Sequence, residues 1–499
     1  MNIATLLRRS AADHAGQVAL RLDDTEIGYA HFADKAARFA GYLLAEGLAP
    51  GDRVGFFLPN TLEYLIGMFG TWQAGGVGVP LNYMFPEAAL AHAITDSGAT
   101  HLVVLPGDVD RLKALLGDRA PVLLTTGDGG GFAAAVAEHA PVHHVVPRRD
   151  GDDALIMYTS GSTGVPKGVR QTHRNTVAHC DAAIDLYELT GDDHVLNCMP
   201  LFHVGGLQLA SLTMLLRGGQ ITFMAKWDPL VWLDLVQRLR PTYGGLISTM
   251  MIDVGNRTVG SPVVLDSFRV CMFGGSRTPT ASIQRLAAGT GIQGIEIYGQ
   301  TEQSGLVVSY APDDTRRPDS MGKPLEQVVQ TRLVPPTGGA DLEPGSDDVG
   351  ELWVRGDAVS PGYWNLDLAE KRVDGWFRTG DLMSRDADGY LYYVDRIDDM
   401  IVSGGENIFP QMVEEHLANC PDLAEVAVIG TAHERWVEQV TAVVVPNRAG
   451  VTVEDIAAYC AGDPNLRGMH RPRRIEIVDA LPRTGSGKLN RPELRKQFP

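Results

Sequence analysis

The sequence predicts an α/β protein with a large N-terminal domain of stacked α/β sheets, a small β-barrel-like unit within it, and a smaller C-terminal α+β domain. Three observations carry this. β-rich runs alternate with helical periodicity from Val18 onward, helices thin out between about 327 and 395, and mixed patterning returns beyond Arg396. Alternation implies parallel sheets, because a parallel connection needs a crossover and its helices cover the sheet faces. At 499 residues the chain exceeds one ordinary core, so several packed units are expected.

Taken in order, RVGFFL at 53–58 reads as a strand, and the next segment places Leu65, Met68, Phe69 and Trp72 on one helical face. A strand over 76–80, a helix over 86–96 and the strand HLVVL at 101–105 continue the rhythm. GDGGG at 127–131 reads as an exposed loop. In the β-rich stretch, ELWVRG and YLYYVDR are separated by Gly, Pro and Asp, which punctuate antiparallel or barrel-like strands. A helix over 411–418 and strands over 424–429 and 441–445 then belong to the C-terminal part. The boundary is set at Asp398, giving domains 1–397 and 398–499.

A formal net charge of −18 repels polyanions, so no nucleic acid partner is expected, and any phosphate site must be local. Cys180, Cys198, Cys271, Cys420 and Cys460 are scattered and form no CxxC pair, which points to neither a disulfide framework nor zinc and suits a cytoplasmic protein. The apolar stretch 64–81 carries five glycines, Gln73 and Pro80, and the N-terminus has no uninterrupted apolar run. No stable membrane association is therefore expected.

The most informative segment is YTSGSTGVPKGV at 158–169, between the apolar run ALIM and a helix expected near Asn175. Gly161, Gly164 and Gly168 permit positive φ and close approach of backbone N–H groups to an anion, Thr159, Ser160, Ser162 and Thr163 add hydroxyls, and Lys167 adds charge. Such a loop can hold a triphosphate. It is not a Walker loop, because Pro166 precedes the lysine and Gly168 stands where a Ser or Thr would bind magnesium.

This loop resembles the phosphate signature of the adenylate-forming superfamily, which includes acyl-CoA synthetases and aryl-CoA ligases, and further matches follow in the family's order. The resemblance implies ATP, Mg2+ and coenzyme A as cofactors and co-substrates. In MPLFHVGGL at 199–207 it makes His203 the gate of an acyl pocket that also includes Val204, Gly205, Gly274 and Gly305. MFGGSRTP at 272–279 places Gly274, Gly275 and Ser276 beside the adenine and acyl carboxylate. In YGQTE at 298–302, next to Gly299 and Gln300, it assigns Tyr298 to the adenine face, Thr301 to the α-phosphate and Glu302 to magnesium.

WFRTGDL at 376–382 supplies Asp381 for the ribose hydroxyls, and Arg396 makes a second ribose or phosphate contact. Asp398 matches the family's hinge, where the C-terminal domain swings. In PRTGSGKLNR at 482–491, Lys488 matches the lysine that stabilises charge during adenylation, and Ser403, Gly404 and Gly405 open a pantetheine channel for the second step.

The implied reaction joins a carboxylic acid to ATP as an acyl adenylate and then transfers the acyl group to the CoA thiol, with an aryl or medium-chain fatty acid as substrate. Phe202 is followed by His203 and Val204 instead of the aspartate that holds an α-amino group, which argues against an amino acid. Met469, His470, Ser248, Met412 and Val437 depart from common family patterns, so a carrier-protein thiol stays open as the acceptor. A non-catalytic adenylate-binding protein is the alternative of another class, and a homodimer is compatible with the sequence.

Overall fold

The computed structural model describes residues 2–159, 165–275, 280–336, 338–346, 348–404, 406–483 and 489–499. Its first thirteen strands are β1 (Val18–Leu22), β2 (Thr25–Gly28), β3 (Arg53–Phe57), β4 (Val77–Pro80), β5 (Ala99–Val104), β6 (Val122–Thr125), β7 (Asp153–Thr159), β8 (Lys167–Thr172), β9 (His194–Asn197), β10 (Gln220–Phe223), β11 (Tyr243–Ile247), β12 (Val270–Gly274) and β13 (Ile295–Ile297). Six more strands follow: β14 (Val308–Ser309), β15 (Ser320–Pro324), β16 (Gln330–Val334), β17 (Gly350–Arg355), β18 (Gly362–Tyr363) and β19 (Arg372–Val373). The last seven are β20 (Trp376–Arg385), β21 (Leu391–Arg396), β22 (Ile401–Ser403), β23 (Glu406–Ile408), β24 (Leu423–His433), β25 (Val437–Pro446) and β26 (Arg474–Ile477).

Two compact units are present. Among the described residues, one holds those up to 159, 165–330 and 354–377, and the other holds those of 331–353 and 378–499. The first unit contains two seven-stranded sheets. One runs β13-β12-β11-β9-β10-β1-β2 and is parallel except for β1–β2. The other runs β18-β8-β7-β4-β3-β5-β6, parallel from β7 to β6 and antiparallel at β7–β8 and β8–β18.

The near-continuous apolar runs of β3, β4 and β5 arise because helices cover both faces of a parallel sheet. The helix Leu62–Gln73 is accordingly buried on all sides, not only on the face carrying Leu65, Met68, Phe69 and Trp72. Its approach to the sheet explains Gly78 in β4, where a Cβ would lie 2.1 Å from Met68 Sδ. The helix expected near Asn175 spans His173–Leu186 and starts two residues earlier, at a capping box in which the Thr172 hydroxyl and the Asn175 side chain satisfy each other's backbone N–H. The helix over Glu87–Ser97 and the strands β4 and β5 lie where the alternation predicts them.

In the second unit β20 and β21 pair antiparallel, β24 and β25 form a long hairpin, and β26 runs parallel to β25. The helix Pro410–Leu417 packs Val413 and Leu417 onto Ile401, Val428, Val440 and Ile456. Between residues 327 and 395 the described helical content is a single 3-10 turn, Ala369–Lys371, in keeping with the sparse helices expected there. Among the described residues no helix is long and apolar enough to cross a membrane.

Candidate active site

The phosphate segment is framed by two antiparallel strands. Thr159 ends β7, Lys167 begins β8, and the two pair directly, so the ends of the loop are held together by a strand ladder. Ser160, Gly161, Ser162, Thr163 and Gly164 lie outside the described residues. Gly168 corrects one expectation: it lies inside β8 and is not among the positive-φ glycines. Its lack of a side chain serves packing instead, since a Cβ there would stand 2.9 Å from Ile156 Cγ2 and 3.1 Å from Tyr158 Cζ.

Strand β8 then reaches the YGQTE turn. Gln171 Nε2 donates to the Thr301 carbonyl over 2.7 Å. The Ser360 N–H donates to the Glu302 carbonyl over 2.8 Å, and the Tyr363 phenol donates to Glu302 Oε1 over 2.8 Å. Ser360 is itself bound through Oγ to the Arg170 carbonyl, and Tyr363 pairs with Val169 across β18–β8. The Thr301–Glu302 dipeptide is thereby held at both carbonyls and at the carboxylate by groups that all rest on the strand leaving the phosphate loop.

The turn is also closed from within. Gln300 and Gln303 exchange hydrogen bonds through their side chains, Tyr298 joins Val308 by a backbone bridge, and a Cβ on Gly299 would lie 2.4 Å from the Gly305 carbonyl oxygen. Sequence reading found Tyr298, Gly299, Gln300, Thr301 and Glu302, but it missed Gln171, Ser360 and Tyr363. Their partners are remote in the chain, 130 residues for Gln171 and 61 for Tyr363, and no local pattern marks them.

The expected acyl residues lie beside this turn. Gly305, at φ +104, is packed against Val204, whose Cγ2 would be 2.9 Å from a Cβ at Gly305. His203 is half-buried and its ring lies 4.6 Å from that of Phe202, which meets Tyr83 edge-on at 4.9 Å. From Gly205 to Leu212 the chain forms a π-helix, a widened turn often found at functional sites. Gly274 ends β12 and abuts β13, with 2.6 Å from a Cβ to the Ile297 carbonyl oxygen, while Gly275 turns the chain at φ +85. Ser276 lies outside the described residues.

In the second unit Asp381 and Arg396 are cross-strand partners on β20 and β21, joined by an ion pair of 2.9 Å. Asp381 is almost fully buried, and Thr379 Oγ1 accepts its backbone N–H. Asp398 is exposed in the turn after β21, and the next residue, Asp399, pairs with Arg495 at 2.9 Å. Ser403 donates to the Glu438 carbonyl, and Gly404, at φ +60, donates to the Trp436 carbonyl over 3.0 Å. Trp436 stacks on His433 at 4.2 Å and lies under the Arg473 guanidinium at 4.1 Å, forming an aromatic and cationic patch that the sequence reading did not single out. Gly405 and Lys488 lie outside the described residues. All five cysteines are free and buried, and burial pushes the thiols of Cys180, Cys198 and Cys271 up to about 12, so these three are not nucleophiles at neutral pH.

The AMP-binding enzyme family model matches residues 7–364, and the model of its C-terminal domain matches 412–488. The chain belongs to the AMP-binding enzyme family. Within it, the chain is 36% identical over 495 residues to a feruloyl-CoA synthase of Amycolatopsis, covering 98% of this chain and 97% of that protein. It is 32% identical over 504 residues to an indoleacetate–CoA ligase of Aromatoleum aromaticum, covering 99% and 98%. The structure of ATP-bound MatB from Rhodopseudomonas palustris superposes with a TM-score of 0.91 at 31% identity, covering 100% of this chain and 99% of that one.

The chain is therefore an AMP-forming acid–thiol ligase of the acyl-CoA synthetase type, using ATP, Mg2+ and CoA. Glu302 fits the metal. Mg2+ is usually held by one or two carboxylates together with substrate phosphates, and Glu302 is a carboxylate on a rigid turn, oriented by a phenol. Bound there, the ion would neutralise phosphate charge.

Proposed function

We propose that the chain activates an aryl-substituted carboxylic acid and passes the acyl group to free CoA. The observation that carries the adenylation half is the grip of β8 and β18 on Thr301–Glu302, which ties the exit of the phosphate loop to the turn expected at the α-phosphate. Thr301 orients the α-phosphate, Glu302 holds the metal, Asp381 and Arg396 take the ribose, and Lys488 places its ammonium on the charge that develops as pyrophosphate leaves. Positioning and fixed charge do the work, with no protein nucleophile.

An aryl substrate is supported by the relatives, a feruloyl-CoA synthase and an indoleacetate–CoA ligase, and by the Tyr83–Phe202–His203 ring cluster next to Val204. CoA is supported as the acceptor by the Arg473 guanidinium, held over Trp436 beside Gly404, since phosphate can pair with guanidinium. Asp398 is the proposed hinge between the two half-reactions, and the cytoplasm, where free thiols persist, is the proposed setting.

The test separates the half-reactions. Lys488→Ala should lower acid-dependent pyrophosphate release by at least ~10²-fold, while thioester formation from supplied acyl adenylate continues. Loss of both in a folded variant would refute the assignment of Lys488. With the unaltered protein, aryl propenoates and aryl acetates should outpace medium-chain alkanoates, and free CoA should outpace holo-carrier proteins. Reversed preferences would replace the substrate or the acceptor named here.

A further inference from the structure

Gln208 takes no part in the steps above. It sits in the π-helix Gly205–Leu212 and is fully buried, flanked in the chain by the buried apolar residues Leu207, Leu209, Ala210 and Leu212. Its Nε2 donates to Gln171 Oε1, and Gln171, also fully buried, donates onward to the Thr301 carbonyl over 2.7 Å. Gln208 Oε1 has no hydrogen-bond partner among the described residues.

This is a poor arrangement for stability alone. A buried carbonyl without a partner loses more than one ordinary hydrogen bond returns, so an apolar residue at 208 would serve the core at least as well. The amide does something a leucine cannot: it makes a polar connection between the helix that follows His203, Val204 and Gly205 and the turn that carries Thr301 and Glu302.

The local backbone keeps that connection in register. The Thr213 N–H and hydroxyl both donate to the Gln208 carbonyl, the hydroxyl over 3.0 Å, and the N–H bond is the i to i+5 link that widens the helix. Asn197 Nδ2 and Ser211 Oγ both donate to the Gly206 carbonyl, over 2.9 and 2.8 Å. The main chain at 206 and 208 is thus pinned while the Gln208 side chain spans to β8.

We propose that the buried pair Gln208–Gln171 is a positioning relay that sets the spacing between the acyl pocket wall and the Thr301–Glu302 turn. The proposal rests on the active-site reading given above. An acid seated against the His203–Gly205 segment and an α-phosphate held at Thr301 must meet at attack distance, and small misplacements of reacting groups are costly in rate. The steric contact of Val204 with Gly305 limits how close the two walls come, and the amide relay limits how far they part.

Gln208→Leu provides the test because it exchanges one unpartnered acceptor, Gln208 Oε1, for another, Gln171 Oε1, and so should leave the unliganded Tm within ~2 °C of the unaltered protein. Acid-dependent pyrophosphate release should lose ~10-fold in kcat, with KM for ATP and for the acid changed by less than ~3-fold, as expected when a positioning contact is lost and binding is not. Gln171→Leu, which also removes the bond to the Thr301 carbonyl, should lose at least as much, and the double variant should be no slower than Gln171→Leu alone, because Gln208 acts only through Gln171. Gln208→Met repeats the measurement should the leucine variant fail to fold. An unchanged kcat in a folded Gln208 variant, losses that multiply in the double variant, or a fall in Tm that parallels the loss of rate would each overturn the relay. Absence of pyrophosphate release from the unaltered protein would overturn the active-site reading together with the relay, whereas a normal rate in Gln208→Leu overturns the relay alone.

Discussion

Glu302 is held as firmly by its neighbours as by its own turn: the Tyr363 phenol donates to its carboxylate, and the Ser360 N–H to its carbonyl. Tyr363→Phe removes the phenol donor with little change of shape. The Mg2+ concentration needed for half-maximal pyrophosphate release should then rise about 10-fold, the lower end for losing an outer partner of a metal ligand. A magnesium titration identical to that of the unaltered protein would show that the phenol does not orient the carboxylate proposed to hold the metal. At this scale the sequence was informative where chemistry is packed into consecutive residues, as at Tyr298 to Glu302. It was silent on Gln171, Ser360 and Tyr363, whose role comes only from being folded against that turn.

Among elements, the turn from Tyr298 to Gly305 depends on two glycines for different reasons. Gly305 needs its positive φ, whereas Gly299 needs the space that a Cβ would take from the backbone at Gly305 and Leu306. Gly299→Ala should therefore displace the turn, lower the urea midpoint by an amount corresponding to about 1–3 kcal/mol, and slow adenylation at least ~10-fold. An unaltered midpoint and rate would mean the turn can relax without moving Glu302. Strands β3, β4 and β5 were legible because burial on both faces leaves a continuous apolar run. The π-helix at Gly205–Leu212 was not, since its widened register is imposed by Thr213, Asn197 and Ser211 side chains on backbone carbonyls and leaves no periodic trace. The reading of Gly168 failed similarly: it was expected to give the phosphate loop a positive φ, yet the neighbours Ile156 and Tyr158 make it a strand residue.

Acid response is a property of the whole molecule. Burial lowers His173 to about 3, with the Arg148 guanidinium adding to the effect, and lowers His179 and His194 to about 4, His194 with help from Arg21. All three are neutral when folded, so the unfolded chain takes up more protons below pH about 6.5, and stability present above that value is lost as pH falls toward 4. Asp395 acts oppositely. Burial raises it from 3.8 to about 6, so its contribution is full below the ordinary carboxylate range and is lost as pH rises through about 6. Urea unfolding between pH 7 and 4.5 should show a net loss of stability on acidification. His179→Leu should reduce that loss by on the order of 2–3 kcal/mol, and Asp395→Asn should enlarge it. Equal slopes in all three proteins would show that these groups are not titrating as their burial implies.

Sequence by itself determined the family and the nucleotide chemistry, because loops and turns that bind phosphate need particular residue types within a few positions of one another. It also determined the alternation of strands and helices, since burial on a parallel sheet leaves a pattern in the chain. Only the tertiary structure decided which residues brace the turn expected to carry that chemistry: that β8 holds Thr301, that Tyr363 binds the Glu302 carboxylate, and that Gln208 reaches the same turn through Gln171. The physical reason is that a hydrogen bond between residues tens of positions apart is created by packing, and packing depends on distances that no local stretch of sequence contains.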